Sequence, residues 1–246
     1  AIVAIELKTG QVLAMVSSPT FNPSMMIGKL RGKYQRDLTL DPAKPLLNRA
    51  IMGQYPPGST FKTSQAVTYY TEGIINDSTR YVCNHGFNFK GLHVGCHSHA
   101  SPLALVPAIS TSCNGYFCWG LYHMLSNRKK YKTLDDAMTV WRNYMVSMGF
   151  GYKLGIDLPG EKRGMIPNAQ FYDHAFKTWN PLSVISISIG QGEVNLTPLQ
   201  IANLGATIAN RGYYVTPHIV RQERNLIRSI WSTIARREAS DLIKRS

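Results

Sequence analysis

The chain has 246 residues, 44% of them hydrophobic and 17% charged, with 13 Pro and 20 Gly. This excludes a disordered tail, a collagen-like repeat and a disulfide-dense miniprotein, and the length suits one large domain or two smaller lobes. Lys plus Arg number 27 against 14 Asp plus Glu, a formal net charge of +13. The basic residues are spread, with clusters at Arg31-Gly32-Lys33, Arg128-Lys129-Lys130-Tyr131-Lys132 and over 221–246. No nucleic-acid-binding pattern accompanies them, so no nucleic acid is expected as a partner, and attraction to an anionic surface or polymer is the milder inference. No run of about 18 apolar residues is present to span a membrane. Ala1-Ile2-Val3-Ala4-Ile5 reads as a strand already in progress, so the sequence is expected to be a fragment.

Alternation over 2–7, the turn Lys8-Thr9-Gly10 and the apolar Val12 to Val16 predict a hairpin. From Ser18 to about Pro45 the sequence has little periodicity and reads as loop. After the rigid turn Pro56-Pro57-Gly58, a largely buried helix is expected from Ser59 to near Gly73. Residues 78–101 read as short strands or loops, and 103–109 and 115–125 as two helical pieces. Between those pieces lies the polar break Ser110-Thr111-Ser112-Cys113-Asn114. Thr133 and Asp136 have capping-box spacing and open a helix to about Met148. Residues 149–167 are Gly/Pro-rich loop, and an apolar run from Val184 ends at Gly190-Gln191-Gly192. Thr197-Pro198 starts an amphipathic helix to Asn210, and Tyr213 to Val220 reads as a strand. The fold class is α+β, one sheet with a helical body.

Ser59-Thr60-Phe61-Lys62 carries the sharpest chemistry. Spacing i, i+3 puts a hydroxyl and an amine on one helical face. A hydroxyl is a poor nucleophile until a base takes its proton, and a neutral lysine can be that base. Burial and the helix N-terminus would both lower the Lys62 pKa as the role requires. The bland reading is a capped helix with an exposed lysine. Ser112 and Asn114 could relay a proton and hold a substrate amide, or either could simply cap a helix.

Tyr55-Pro56-Pro57-Gly58-Ser59-Thr60-Phe61-Lys62, Ser112-Cys113-Asn114, and Ile189-Gly190-Gln191-Gly192 with Thr197-Pro198-Leu199-Gln200 resemble, in order, the transpeptidase domain of class B penicillin-binding proteins. The opening hairpin, Asp157-Leu158-Pro159-Gly160-Glu161-Lys162 and Ile208-Ala209-Asn210-Arg211-Gly212 are similar too. The double proline before Gly58 and the Pro-Gly-Glu-Lys stretch lean toward the elongation type, the penicillin-binding protein 2 group. The resemblance implies a serine-lysine transpeptidase fold over 1–220. Ser59 would form an acyl-enzyme with the D-Ala-D-Ala of a peptidoglycan stem peptide, or with a β-lactam. Lys62 would act as base and Ser112 as proton shuttle, while Asn114, Gly190 and Gln191 would bind substrate. It also implies a site on the periplasmic face of the bacterial inner membrane and a membrane glycan polymerase of the elongation machinery as partner. A non-catalytic penicillin-binding sensor of the same fold is the alternative.

Two departures matter. The family's downstream Lys-Thr-Gly is absent. Lys8-Thr9-Gly10 has the letters but precedes the serine, in the first hairpin turn. The absent strand would supply one of two oxyanion donors, whose loss costs roughly 10²–10³ in rate, so little turnover is expected. After Val220 the resemblance stops, and 221–246 reads as a divergent basic, amphipathic helical tail. Finally, Cys83, Cys96, Cys113 and Cys118 are interleaved with His85, His93, His97 and His99. Disulfides and free thiols are both open readings. A structural zinc on Cys83, Cys96, His99 and Cys113, with His97 as substitute, is the third, and some elongation-type relatives are similar in holding one. Cys118, in Tyr116-Phe117-Cys118-Trp119, is expected in the core; Tyr116 and Trp119, at helical spacing after Asn114, are read as core ahead of a substrate platform. No cofactor is expected for catalysis itself.

Overall fold

A computed structural model describes residues 1–220, which divide into two compact units. The strands are β1 (Ile2–Ile5), β2 (Val12–Val16), β3 (Gly86–Phe89) and β4 (Leu92–Gly95). The helices are α1 (Arg31–Leu40), α2 (Arg49–Met52), α3 (Lys62–Thr71), α4 (Leu105–Ser110), α5 (Asn114–Ser126), α6 (Leu134–Ser147), α7 (Ala169–Ala175) and α8 (Pro198–Ala209). Short 3-10 segments cover Pro23–Met26, Gly58–Phe61 and Ile185–Ile189. Helices and small antiparallel sheets make this an α+β fold. Among the described residues no helix is long and apolar enough to cross a membrane.

The first unit comprises Ala1–Tyr55, Tyr152–Arg163 and the described residues from Leu196 onward. The predicted hairpin is present: β1 and β2 pair antiparallel with Ile2 opposite Val16 and Val3 opposite Met15. Val3, Ile5, Val12 and Met15 pack against a core of Ala50, Ile51, Leu154, Ile156 and Leu199. Lys8-Thr9-Gly10 lies in the connecting turn, where Gly10 has φ +80° and a Cβ would sit 2.7 Å from the Thr216 carbonyl oxygen. That environment is a tight turn, not a cleft-edging strand. α8 begins as expected at Thr197-Pro198, with Pro198 in its first turn; the structure adds a reciprocal Thr197–Gln200 capping box. Gln200 Nε2 also donates to the Tyr152 and Arg163 carbonyls, both at 3.0 Å. Glu161 accepts from the Leu154 and Gly155 N–H groups at 2.6 and 3.0 Å, which fixes the Pro-Gly-Glu-Lys stretch in place.

Two expectations fail here. The segment read as loop contains α1, a helix with no buried residue, whose charged and polar composition offers no apolar period to detect. The expected strand at 213–220 is coil that makes one parallel bridge, Gln11 to His218. Asp157 holds its end by accepting from the Ile219 and Val220 N–H groups at 2.7 and 2.8 Å. The reading of 221–246 as a basic helical tail lies outside the described residues.

The second unit comprises Pro56–Gly151 and Gly164–Asn195 among the described residues. α5 is its centre, packed by α3, α6, β3 and the Ile185–Ile189 segment. Gly120 lets the Tyr69 ring lie against α5, since a Cβ there would sit 2.4 Å from the ring. The buried Gln65 Oε1 accepts from both the Tyr69 hydroxyl (3.0 Å) and Trp141 Nε1 (2.9 Å), so burying three polar groups leaves no orphan among them. α6 begins with the predicted Thr133–Asp136 capping box. Cys118 is buried in this core, its Sγ accepting from the Ser188 hydroxyl at 3.4 Å.

Candidate active site

Every residue singled out for chemistry lies in the second unit. The turn before the nucleophile is built by close backbone approach. Gly58 has φ +60°, and its N–H donates to the Gly190 carbonyl at 2.9 Å. Gly190 has φ +69°, and a Cβ on it would fall 2.3 Å from the Gly58 oxygen. The tight backbone contact in Gly190-Gln191-Gly192 is therefore made by Gly190. Gln191 is exposed, and its N–H turns back to the Ser186 carbonyl. Phe61 is fully buried against Trp141 and Phe150, which anchors the 3-10 turn that carries the exposed Ser59.

Lys62 is the first residue of α3 and only 2% exposed. Its Nζ donates to the Ser112 carbonyl (2.6 Å), the Ser112 hydroxyl (3.0 Å) and Asn114 Oδ1 (2.6 Å). The polar break predicted between two helical pieces thus lies directly on the lysine of the Ser-x-x-Lys motif. Ser112 has φ +52°, a left-handed conformation that L residues seldom adopt. In that conformation its carbonyl and its hydroxyl both meet the amine. Neither Ser112 nor Asn114 caps α5. Cys113 does, its Sγ accepting from the Tyr116 N–H at 3.3 Å. Asn114 Nδ2 donates to the Gly95 carbonyl at 2.8 Å, so the end of β4 orients the amide. Sequence reasoning missed the Ser112 and Gly95 carbonyls, because a backbone acceptor has no signature in side-chain identity.

Burial pushes the Lys62 amine below its ordinary value, while the Cys96, Cys113 and Cys118 sulfurs pull it back up. As an ammonium it has three protons for three acceptors; once one proton is lost, a lone pair remains to accept from a hydroxyl. The group can therefore hold, release and pass a proton within a water-poor pocket. Glu193 takes no part in it: its carboxylate accepts from the Tyr172 hydroxyl at 2.9 Å.

Beside this group the ligand atoms of Cys83, Cys96, His99 and Cys113 all lie within 4.8 Å of one another. These are the four residues expected from the sequence; His97 only packs its ring edgewise against that of His99. Cys96 Sγ lies 3.3 Å from His99 Nε2 and accepts from the Asn114 N–H, also at 3.3 Å. Burial raises the Cys83 and Cys113 thiols. Burial also works against the Cys96 thiolate, but hydrogen bonds from the Asn114 N–H and from His99 outweigh it, so that thiol ends below its ordinary value. Three sulfurs and an imidazole converging to this degree fit a soft tetrahedral metal ion.

A serine one turn before a buried lysine, with a second serine and an amide on that lysine, is the side-chain set of the serine-lysine acyl-transfer class. Residues 1–242 match the family described as penicillin binding protein transpeptidase domain, and the chain belongs to that family. It is 37% identical over 231 residues to the peptidoglycan D,D-transpeptidase MrdA of Acinetobacter baumannii, covering 90% of this chain and 32% of that protein. The fold resembles Pseudomonas aeruginosa PBP2 in complex with WCK 5153, with TM-score 0.73 and 25% identity over 100% of this chain and 56% of that one. It also resembles a component of a peptidoglycan synthase complex described as coordinating polymerization and crosslinking, with TM-score 0.78 and 30% identity over 97% of this chain and 41% of that one. The chain spans about a third of the length of the curated relatives it matches.

Proposed function

We propose that this chain carries the nucleophile half of a peptidoglycan D,D-transpeptidase site. The observation that bears most weight is the Lys62 amine, buried and bonded at once to Ser112 and Asn114. Neutral Lys62 takes the Ser59 proton as Ser59 Oγ attacks the penultimate D-Ala carbonyl of a stem peptide. The tetrahedral intermediate collapses with cleavage of the amide C–N bond. The proton passes from Lys62 through the Ser112 hydroxyl to the leaving D-Ala nitrogen. An acyl-serine remains, which an amine of a neighbouring stem resolves into a cross-link. A β-lactam opens on the same serine, and its ring nitrogen, still tethered, takes the proton. Asn114 holds the substrate amide, and Gly190 and Gln191 border the turn that presents Ser59.

The sequence contains no Lys-Thr-Gly after Gly192, so acylation is expected to be slow and turnover slower still. The catalytic centre is assigned to the outer face of the bacterial cytoplasmic membrane, next to a membrane glycan polymerase. The same reading includes a structural zinc held by Cys83, Cys96, His99 and Cys113. Those three sulfurs and the imidazole would hold the ion, which would offset most of the thiolate charge and fix the loop that contains Cys113, between Ser112 and Asn114.

Labelling with a fluorescent penicillin tests the assignment. One stoichiometric label is expected, lost in Ser59→Ala and in protein pre-treated with unlabelled penicillin; labelling that survives Ser59→Ala refutes it. Elemental analysis should find one zinc per chain in protein purified without chelator. Absence of metal together with a Cys83–Cys96 disulfide would remove the zinc.

A further inference from the structure

A groove of about 810 Å³ opens on the second unit beside β3, β4 and α5, and it shares no residue with the Ser59 site. Its volume lies within the range of about 300–1,000 Å³ usual for small-ligand sites. Arg80, Tyr81, Asn84, His85, Trp119 and His123 give it its chemistry, and among the described residues no carboxylate and no lysine lines it. We infer that this groove is a saccharide subsite for the N-acetylated glycan strand of peptidoglycan.

Three features carry the inference. First, the groove has an aromatic wall. The His123 ring stacks on Tyr81 at 5.4 Å and 21° and on Trp119 at 5.6 Å and 22°. Trp119 is held from other directions by Phe87 and Phe89, at 4.7 and 5.4 Å. Such a wall suits the apolar C–H face of a pyranose ring. Second, the polar ends are free to bind. Among the described residues, the Arg80 guanidinium, the Asn84 amide and the His85 and His123 imidazoles make no hydrogen bond to another side chain or to the backbone. In the same lining, by contrast, Asn88 Oδ1 meets His93 Nδ1 and Asn88 Nδ2 donates to the Asn84 carbonyl. Amide and imidazole groups can donate to and accept from hydroxyl and acetamido groups, and the guanidinium can donate to their oxygens. Third, His85 has φ +52°, and the next residue, Gly86, has φ +146°, where a Cβ would meet the Val94 oxygen at 2.2 Å. Non-glycine backbone of this kind persists where its surroundings hold it, and it concentrates at ligand-binding positions.

The assignment rests on the peptidoglycan reading above, and the test separates the two. The probe is triacetylchitotriose, an N-acetylglucosamine trimer, titrated into the 246-residue chain and followed by tryptophan emission and calorimetry. Saturable binding is expected, weakened about tenfold or more in the Arg80→Ala/Asn84→Ala double variant, whose wild-type side chains are exposed. Trp119→Phe, which keeps an aromatic ring against Phe87 and Phe89, should reduce the emission change and the affinity together. No binding at millimolar trimer, unchanged affinity in the double variant, or a D-Ala-D-Ala peptide binding these residues in place of the trimer each overturns the subsite. Penicillin labelling of the unsubstituted chain is scored separately. If it fails, the transpeptidase reading falls; if it succeeds without trimer binding, only the groove assignment falls.

Discussion

Replacing Lys62 by Met tests whether the amine is the base. The substitution keeps an unbranched side chain in a site that is 2% exposed, so the packing around α3 survives. It removes the donor from three acceptors, the Ser112 carbonyl and hydroxyl and Asn114 Oδ1. An orphaned buried acceptor costs about 1–3 kcal/mol, while removing a desolvated cation returns part of that, so the variant is expected to fold. General-base catalysis is worth about 10²–10⁴ in rate, or roughly 3–5 kcal/mol of barrier, and acylation should slow by that factor. The assay is single-turnover labelling of Ser59 by fluorescent penicillin across pH. In the unsubstituted chain labelling should rise with pH, with its midpoint below the ordinary lysine value because burial lowers Lys62. In Lys62→Met that limb should vanish. Stability has its own sign. A lysine lowered in the folded state binds fewer protons there than when unfolded. Its penalty is full below the folded pKa and fades as pH rises toward the unfolded value. The melting temperature of the unsubstituted chain relative to Lys62→Met should therefore improve with pH. Labelling of Lys62→Met at an unchanged rate refutes the assignment of the base.

Three further predictions follow from the same geometry. Ser112→Ala and Ser112→Gly both lose the hydroxyl and should label slowly. The glycine variant should be more stable by about 1 kcal/mol in chemical denaturation, because only glycine adopts φ +52° freely; equal stabilities would contradict the strained backbone. Gly190→Ala drives a methyl to 2.3 Å from the Gly58 oxygen and 2.8 Å from Phe61 Cβ. It should cost about 1–3 kcal/mol and slow labelling of Ser59, and a variant that melts and labels normally would show that the approach is not needed. Glu72 accepts from Lys130, Tyr131 and Tyr144. Burial raises its pKa, but these bonds outweigh burial and leave it below the ordinary glutamate range. Its stabilisation is present above the unfolded value and lost as pH falls through the folded one. The deficit of Glu72→Gln, measured by thermal melting, should therefore shrink in acid.

The parts of this protein legible in its sequence are those where side-chain identity and geometry coincide. The Thr133–Asp136 capping box is a reciprocal bond over three residues, so spacing alone announces it. The four-residue cysteine and histidine cluster is likewise gathered as its donor types suggest. α1 was hidden because none of its residues is buried, and burial is what writes a period into sequence. The 213–220 segment has strand-like composition but is held through Asp157 and one bridge, contacts that strand propensity does not encode. At the site, Lys62, Ser112 and Asn114 were visible as side chains. The Ser112 and Gly95 carbonyls, and the cap by the Cys113 sulfur, depend on torsions and not on residue type.

One of the three oxygens around the Lys62 amine belongs to the peptide group of residue 112. No single amino-acid exchange can delete it. Substitutions that tune this centre can therefore swap the Ser112 hydroxyl or the Asn114 amide, but they move the remaining oxygen only by rotating the chain at position 112. Tolerance to replacement should accordingly be narrow at position 112 itself, where the left-handed backbone sets the direction in which that oxygen points.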